Sequence, residues 1–319
     1  MAKLDKYDHK ILYELDKQSN LQINLLAKKL RKSKQFVLYR IQRLQEDKII
    51  TNFTAIVDMS KLGYFSFRVY FKLQQVTDED CQHFIDFVKQ NYPKVWTITS
   101  IHGKWDYALF LGVKNIVELH SIWDSILLRF KSKIKHYNVA VYAPIYNFNR
   151  TFFMQSTEEV ITRVYGEGDL ALVDKLDWDI IQAYAPDVRQ SSLELGKRLG
   201  VSADTIRARI KKMEFKKVIC GYKIGLDLQR MGYSGYRVDI ELISTSKNKL
   251  LFEFCKQHKN IYQINKSIGG ADFEIEVVVK DTADLQRVIK ELTLNFKEVI
   301  NDIEYFGFST FHMLNYIPD

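Results

Sequence analysis

Between residues 5 and 15 apolar side chains fall at Ile11, Leu12 and Leu15, the stripe of a helix. Gln18, Ser19 and Asn20 interrupt it, and residues 23–30 start again with Leu26, Ala27 and Leu30 on one face. A polar turn over residues 31–34 follows. Within it Ser33 is placed to cap a third helix whose inward positions are Val37, Ile41 and Leu44. Lys34, Gln35, Tyr39, Gln42 and Arg43 then face outward. Two short helices, a tight turn and a helix with basic and amide side chains outside form the pattern of a helix-turn-helix. Residues 49–56, β-branched and bounded by polar residues, read as a strand that would supply a wing.

After Gly63 the period changes from helix to strand. Residues 65–73 alternate, residues 80–91 are helical with Phe84, Phe87 and Val88 inward, and residues 95–101 and 107–113 are strands around the turn His102-Gly103-Lys104-Trp105-Asp106. A helix over 116–130 and a last strand over 134–142 complete the order β-α-β-β-α-β. That order is a ferredoxin-like split unit, a four-stranded antiparallel sheet with both helices on one face.

The whole scheme then recurs. Lys6, Asp8 and Ile11 return 169 residues later as Lys175, Asp177 and Ile180, Ser33 as Ser202, Arg40-Ile41 as Arg209-Ile210, and Arg68-Val69 as Arg237-Val238. In the second copy Ile206, Ile210 and Met213 point inward from helix three, while Asp204, Arg207, Ala208, Lys211 and Lys212 point out. The later elements fall at 233–244, 249–258, 261–268, 273–279, 282–296 and 300–308, and the central turn Gly269-Gly270-Ala271-Asp272 matches Gly103 to Asp106 at an offset of 166. So long a period is a duplicated domain pair, not a solenoid. The expected fold class is α+β: two winged helix-turn-helix domains (1–60 and 174–230) alternating with two ferredoxin-like βαββαβ domains (61–143 and 231–319), with a linker over 144–173. Each ferredoxin-like sheet leaves one face without helices, and pairing the two sheets within the chain is the simplest way to cover it.

Charge adds a partner class. Net charge is +8, and residues 1–155 carry 24 Lys+Arg against 14 Asp+Glu, the remainder 23 against 25. A basic half suits a polyanion. No run reaches the roughly 18 apolar residues of a membrane span, and the polar start Met1-Ala2-Lys3-Leu4-Asp5 lacks a signal-peptide core. Cys81, Cys220 and Cys255 are scattered without metal-ligand spacing and read as reduced thiols of a cytoplasmic, nucleoid-associated protein. No Gly-rich phosphate loop, HExxH or nucleophile elbow occurs, so neither catalysis nor a cofactor is expected.

Taken together these residues resemble the Lrp/AsnC family of feast/famine regulators. The likeness rests on Leu4-Asp5, Asp8 to Leu12, Leu26-Ala27, Leu30, Ser33, Arg40 to Leu44, Ile49-Ile50, Leu62-Gly63 and Gly103 with Asp106-Tyr107, and on their second-half counterparts Asp177, Ile180-Ile181, Leu199 to Ser202, Thr205-Ile206, Arg209-Ile210, Gly269 and Asp272. Lys48 and Lys217 stand where the family usually has a glycine. The resemblance implies a winged helix-turn-helix followed by a regulatory (RAM, ACT-like) domain that dimerises and senses small molecules, commonly amino acids. A chain with two copies then resembles a fused dimer, with further homodimers or larger assemblies open to it.

The expected partner is double-stranded DNA, bound through Ser33, Lys34, Gln35, Tyr39, Arg40, Gln42 and Arg43 in one head and Ser202, Thr205, Arg207, Arg209, Lys211 and Lys212 in the other. Arg40 and Arg209 fit phosphate contact and the holding of an acidic neighbour equally well. Because the two outward sets differ, unequal half-sites are expected. Gly103, Asp106, Gly269 and Asp272 are candidates for an amino-acid effector, or serve turn geometry alone. Two rival readings are a siroheme decarboxylase-like enzyme of the same architecture and a nucleoid protein indifferent to sequence.

Overall fold

A computed structural model describes residues 4–154, 159–315 and 317. The first head has helices α1 (Lys6–Lys17), α2 (Ile23–Leu30) and α3 (Lys34–Glu46), then strand β1 (Ile50–Val57). The first split unit follows as β2 (Phe65–Leu73), α4 (Asp78–Asn91), β3 (Val95–His102), β4 (Tyr107–Val113), α5 (Ile116–Phe130) and β5 (Ile134–Phe148). After a short strand β6 (Thr162–Tyr165) come the second head, α6 (Lys175–Tyr184), α7 (Ser192–Leu199), α8 (Ala203–Phe215) and β7 (Ile219–Leu226), and the second split unit. That unit comprises β8 (Ser234–Leu242), α9 (Asn248–Gln257), β9 (Ile261–Ile268), β10 (Phe273–Val279), α10 (Thr282–Phe296) and β11 (Ile300–Leu314).

The two sheets do more than face each other; they close. The hydrogen-bonded order is β2-β4-β3-β11-β8-β10-β9-β5, and β5 returns to pair with β2, giving an eight-stranded antiparallel barrel with β6 appended to β5. The seams are β5 and β11, each 15 residues long. Residues 134–142 of β5 pair with β2 of their own unit, and 141–147 with β9 of the other. Likewise 300–307 of β11 pair with β8, and 307–314 with β3. The sequence places the ends of these strands at 142 and 308, where pairing within the unit stops. The extra residues are held by the opposite unit, and closure gives each of the eight barrel strands two neighbours.

Alternation sorts the side chains. Phe67, Val69, Phe71, Ile98, Leu109 and Leu111 lie against α4 and α5, and Val238, Ile240, Ile264, Ile275 and Val277 against α9 and α10. The opposite face lines the barrel, and its centre is charged. Arg237, fully buried, is paired with Glu274 and donates to Asp239 Oδ1 at 2.9 Å, Tyr142 Oη at 2.7 Å and Glu276 Oε1 at 3.4 Å. Arg68 donates to Tyr70 Oη at 3.1 Å and lies 3.5 Å from Glu276 Oε1. Burial pushes the Glu276 carboxyl up, but Arg68 and Arg237 more than offset it and hold it below its ordinary value.

The heads are joined as well. The strand assigned to a wing, β1, pairs antiparallel with β7 of the other head, so its edge serves the junction between heads. One continuous apolar core runs through both heads, from Ile11, Leu26, Val37 and Leu44 to Ile180, Leu195, Ile206 and Met213. The segment expected as a linker is built into the structure. β5 extends to Phe148, β6 lies at Thr162–Tyr165, and Phe153 is buried in the core of the heads. Residues 155–158 of that segment lie outside the described residues, as do the first three residues, 316, 318 and 319. Arg163 of β6 ties the barrel to the first head, donating to Asn147 Oδ1 at 3.2 Å and to the Lys17 carbonyl at 3.1 Å.

Candidate nucleic-acid interface

Each reading helix is set by a serine. Ser33 Oγ accepts from Phe36 N and Ser202 Oγ from Thr205 N, both at 3.1 Å, so the two serines act as caps that start α3 and α8. Before each cap the chain turns through a left-handed residue: Arg31 at φ 53° in the first head, Gly200 at φ 70° in the second. Val37, Ile41 and Leu44 are buried under α3, and Ile206 and Met213 under α8, with Ile210 half-buried. Lys34, Gln35, Tyr39 and Gln42 are exposed on α3, and Asp204, Arg207, Lys211 and Lys212 on α8, whereas Thr205 is half-buried.

The arginines divide differently from the outward set read in the sequence. Asp5 and Asp8 form the capping box of α1, and Arg40 Nη1 donates to Asp5 Oδ2 at 2.7 Å and Asp8 Oδ1 at 3.1 Å. Arg43 Nη2 reaches the same Asp8, at 2.5 Å. In the second head Asp174 and Asp177 cap α6, and Arg209 Nη1 bonds Asp174 at 2.5 Å and Asp177 at 3.0 Å. Arg209 holds the Asp174 carboxyl below its usual range. Of the two roles open to Arg40 and Arg209, the geometry therefore gives the acidic neighbour. These guanidiniums fasten helix three to the start of helix one. Arg43, expected to face outward, is a correction: it sits against Asp8 with 32% of its side chain exposed. The Asp-x-x-Asp spacing at 5/8 and 174/177, repeated with an arginine 35 residues on, was the available signal.

Lys48 and Lys217 adopt φ of 55° and 58°. The backbone keeps the left-handed turn that a glycine would enter freely, and a lysine bears the strain at both positions.

The effector candidates separate. Asp106 accepts from Lys72 Nζ at 2.6 Å and from Leu73 N at 2.8 Å, and Asp272 from Leu242 N at 2.9 Å. Both carboxylates pin their turns to the neighbouring strand, so the head-group anchor expected of them is already taken up by intramolecular donors. Gly103 borders a cavity of about 290 Å³ with His102, Ser234, Tyr236, Tyr305 and Phe308. Gly269 has no such room: a Cβ there would lie 2.6 Å from the Val139 carbonyl oxygen.

Two capped reading helices, joined by a ribbon and carried on one closed barrel, define a DNA-binding protein of the winged helix-turn-helix class. Residues 4–51 match the winged helix-turn-helix DNA-binding domain and residues 173–214 the AsnC-type helix-turn-helix domain. The chain is 31% identical over 120 residues to the transcriptional regulator LrpA of Pyrococcus abyssi, covering 84% of that protein and 37% of this one. It is 27% identical over 134 residues to the regulatory protein AsnC of Escherichia coli, covering 86% of that protein and 42% of this one. The chain belongs to the Lrp/AsnC family of transcription regulators. Over its full span it shares a fold with the siroheme decarboxylase NirDL, at a TM-score of 0.64 and 15% identity, covering 98% of this chain and 94% of that one. No helix among the described residues is long and apolar enough to cross a membrane.

Proposed function

We propose that this chain is a sequence-specific transcription regulator in which one polypeptide does the work of a dimer, laying α3 and α8 on one duplex. The observation that carries this reading is the pairing of β1 with β7 above a closed barrel, which ties two exposed recognition helices into one frame. Lys34, Lys211 and Lys212 hold phosphates, and the outward residues of the helix N-termini meet base edges. Half-sites lie about 10 base pairs apart, or a multiple of that. Selection of bound fragments from genomic DNA tests this: a recurrent bipartite site is expected, and retention of all fragments alike would favour a nucleoid-coating protein instead.

A small effector modulates binding through the cavity beside Gly103. Thermal shifts across the twenty amino acids check this, and silence from all of them removes that class of effector. A second reading, decarboxylation of a tetrapyrrole, is favoured by the full-length likeness to NirDL. We assign the chain no enzymatic role, on its relatives' identity as regulators. Titration with siroheme decides between them: an unchanged visible spectrum is expected, and a stoichiometric shift would restore the enzyme.

A further inference from the structure

Arginine is the residue that most often reads guanine, and α3 has none to spare. Arg40 and Arg43 are both fastened to the α1 cap. What α3 turns outward is Gln35, Tyr39 and Gln42, stacked on one face, with Leu38 beside them. Tyr39 is 64% and Leu38 43% exposed. Amide side chains pair with adenine, and apolar groups meet the thymine methyl. This surface is suited to A·T pairs.

The equivalent face of α8 has other chemistry. At the repeat's offset Asp204 replaces Gln35, Arg207 replaces Leu38, Ala208 replaces Tyr39 and Lys211 replaces Gln42. Arg207 is not clamped to the head as Arg209 is. Its only ion pair among the described residues is with Asp204, one turn away, and the two side chains are 59% and 89% exposed. So open a pair is weak and exchanges readily for other partners. A guanidinium donates to guanine O6 and N7, and a carboxylate accepts from cytosine N4. Side by side on one turn, they offer the donor and acceptor that a G·C pair or G·C step requires. Ala208 adds at most one methyl contact.

We infer that the operator is lopsided: an A·T half-site under α3, and under α8 a half-site containing G·C pairs read by Arg207 and Asp204. The inference rests on the reading that both heads sit on one duplex. Selection from a random DNA pool at low salt tests it, using the full chain and its double variant Asp204→Gln/Arg207→Leu, which copies the first head's residues into the second. The intact chain should enrich a composite site, and the variant a site that is A·T-rich in both halves. Its preference for G·C in the second half should fall roughly 5- to 150-fold. Both substitutions are on the surface, so the variant should melt with the parent. Two matching halves for the intact chain, or a G·C half that persists in the variant, overturn the inference while DNA binding stands. Recovery of no sequence, or of every sequence alike, overturns the regulator reading and the inference with it.

Discussion

Arg68 and Arg237 hold the same place in the repeat and point into the same barrel, yet they live in different company. Glu274, Glu276 and Asp239 all come from the second half, and the first half has Ala108, Phe110 and Tyr70 at those positions. Arg68 therefore borrows its carboxylate, Glu276, from the other half. A symmetric dimer would have to place an acid in both subunits or in neither. The heads diverge elsewhere. Their caps, inward stripes and Arg–Asp clamps are kept, while the outward faces of α3 and α8 have drifted apart. Covalent fusion frees such positions to differ between the copies. The charge difference between the halves follows suit. The heads are alike, with 12 basic against 7 acidic residues in 1–60 and 12 against 8 in 174–230, whereas residues 231–319 carry 10 against 13. The basic surplus of the first half thus lies outside the difference between heads.

The sharpest way to break this comparison is in the barrel. Arg237→Leu strips Glu274 of its arginine and leaves Glu276 with Arg68 alone, and should cost about 3–5 kcal/mol in urea unfolding, whereas Arg68→Leu should cost clearly less. Equal losses would mean the shared network does not matter. In the heads, Asp8 holds two guanidiniums and Asp177 one. Asp8→Ala should therefore cost about 2–3 kcal/mol and Asp177→Ala about 1 kcal/mol, allowing for the partial exposure of the arginines. Arg31→Gly, Lys48→Gly and Lys217→Gly should each stabilise by about 1 kcal/mol, by relieving a left-handed residue, and the last two by similar amounts.

Acid should weaken the barrel through Glu276. Glu276 titrates lower in the folded chain than its ordinary 4.5. Its contribution is then complete above that pH and fades as pH falls through the folded value. The stability gap between the intact chain and Glu276→Gln should shrink below about pH 4.5; a constant gap would place the effect in packing. The smallest effect is on DNA. Lys34→Ala and Lys211→Ala should each flatten the salt dependence of binding by about 0.9 in log–log slope, and Arg43→Ala should leave it unchanged.

Much of the fold is legible in the sequence, because period and capping are local. The stretches 23–30, 65–73, 107–113, 116–130, 261–268, 273–279 and 282–296 read from the pattern are the elements found. What periodicity does not report is which strand edge meets which. The extra lengths of β5 and β11 and the β1–β7 ribbon all arise from pairing across the repeat, more than a hundred residues apart, and β6 forms only on the extended end of β5. The site was readable to the same depth. The cap serines and inward residues follow from spacing, but Arg43 cannot be told from a phosphate contact until Asp8 is seen beneath it. The two turn glycines look alike in sequence and differ only in what lies opposite them.

Hydroxyl-radical footprinting of a selected operator, combined with sedimentation of the same complex, bears most directly on the two-headed chain. One polypeptide per duplex, protecting two unlike segments on neighbouring helical turns, is the expected result. A single protected segment, or a complex that needs two chains to cover both, would contradict it.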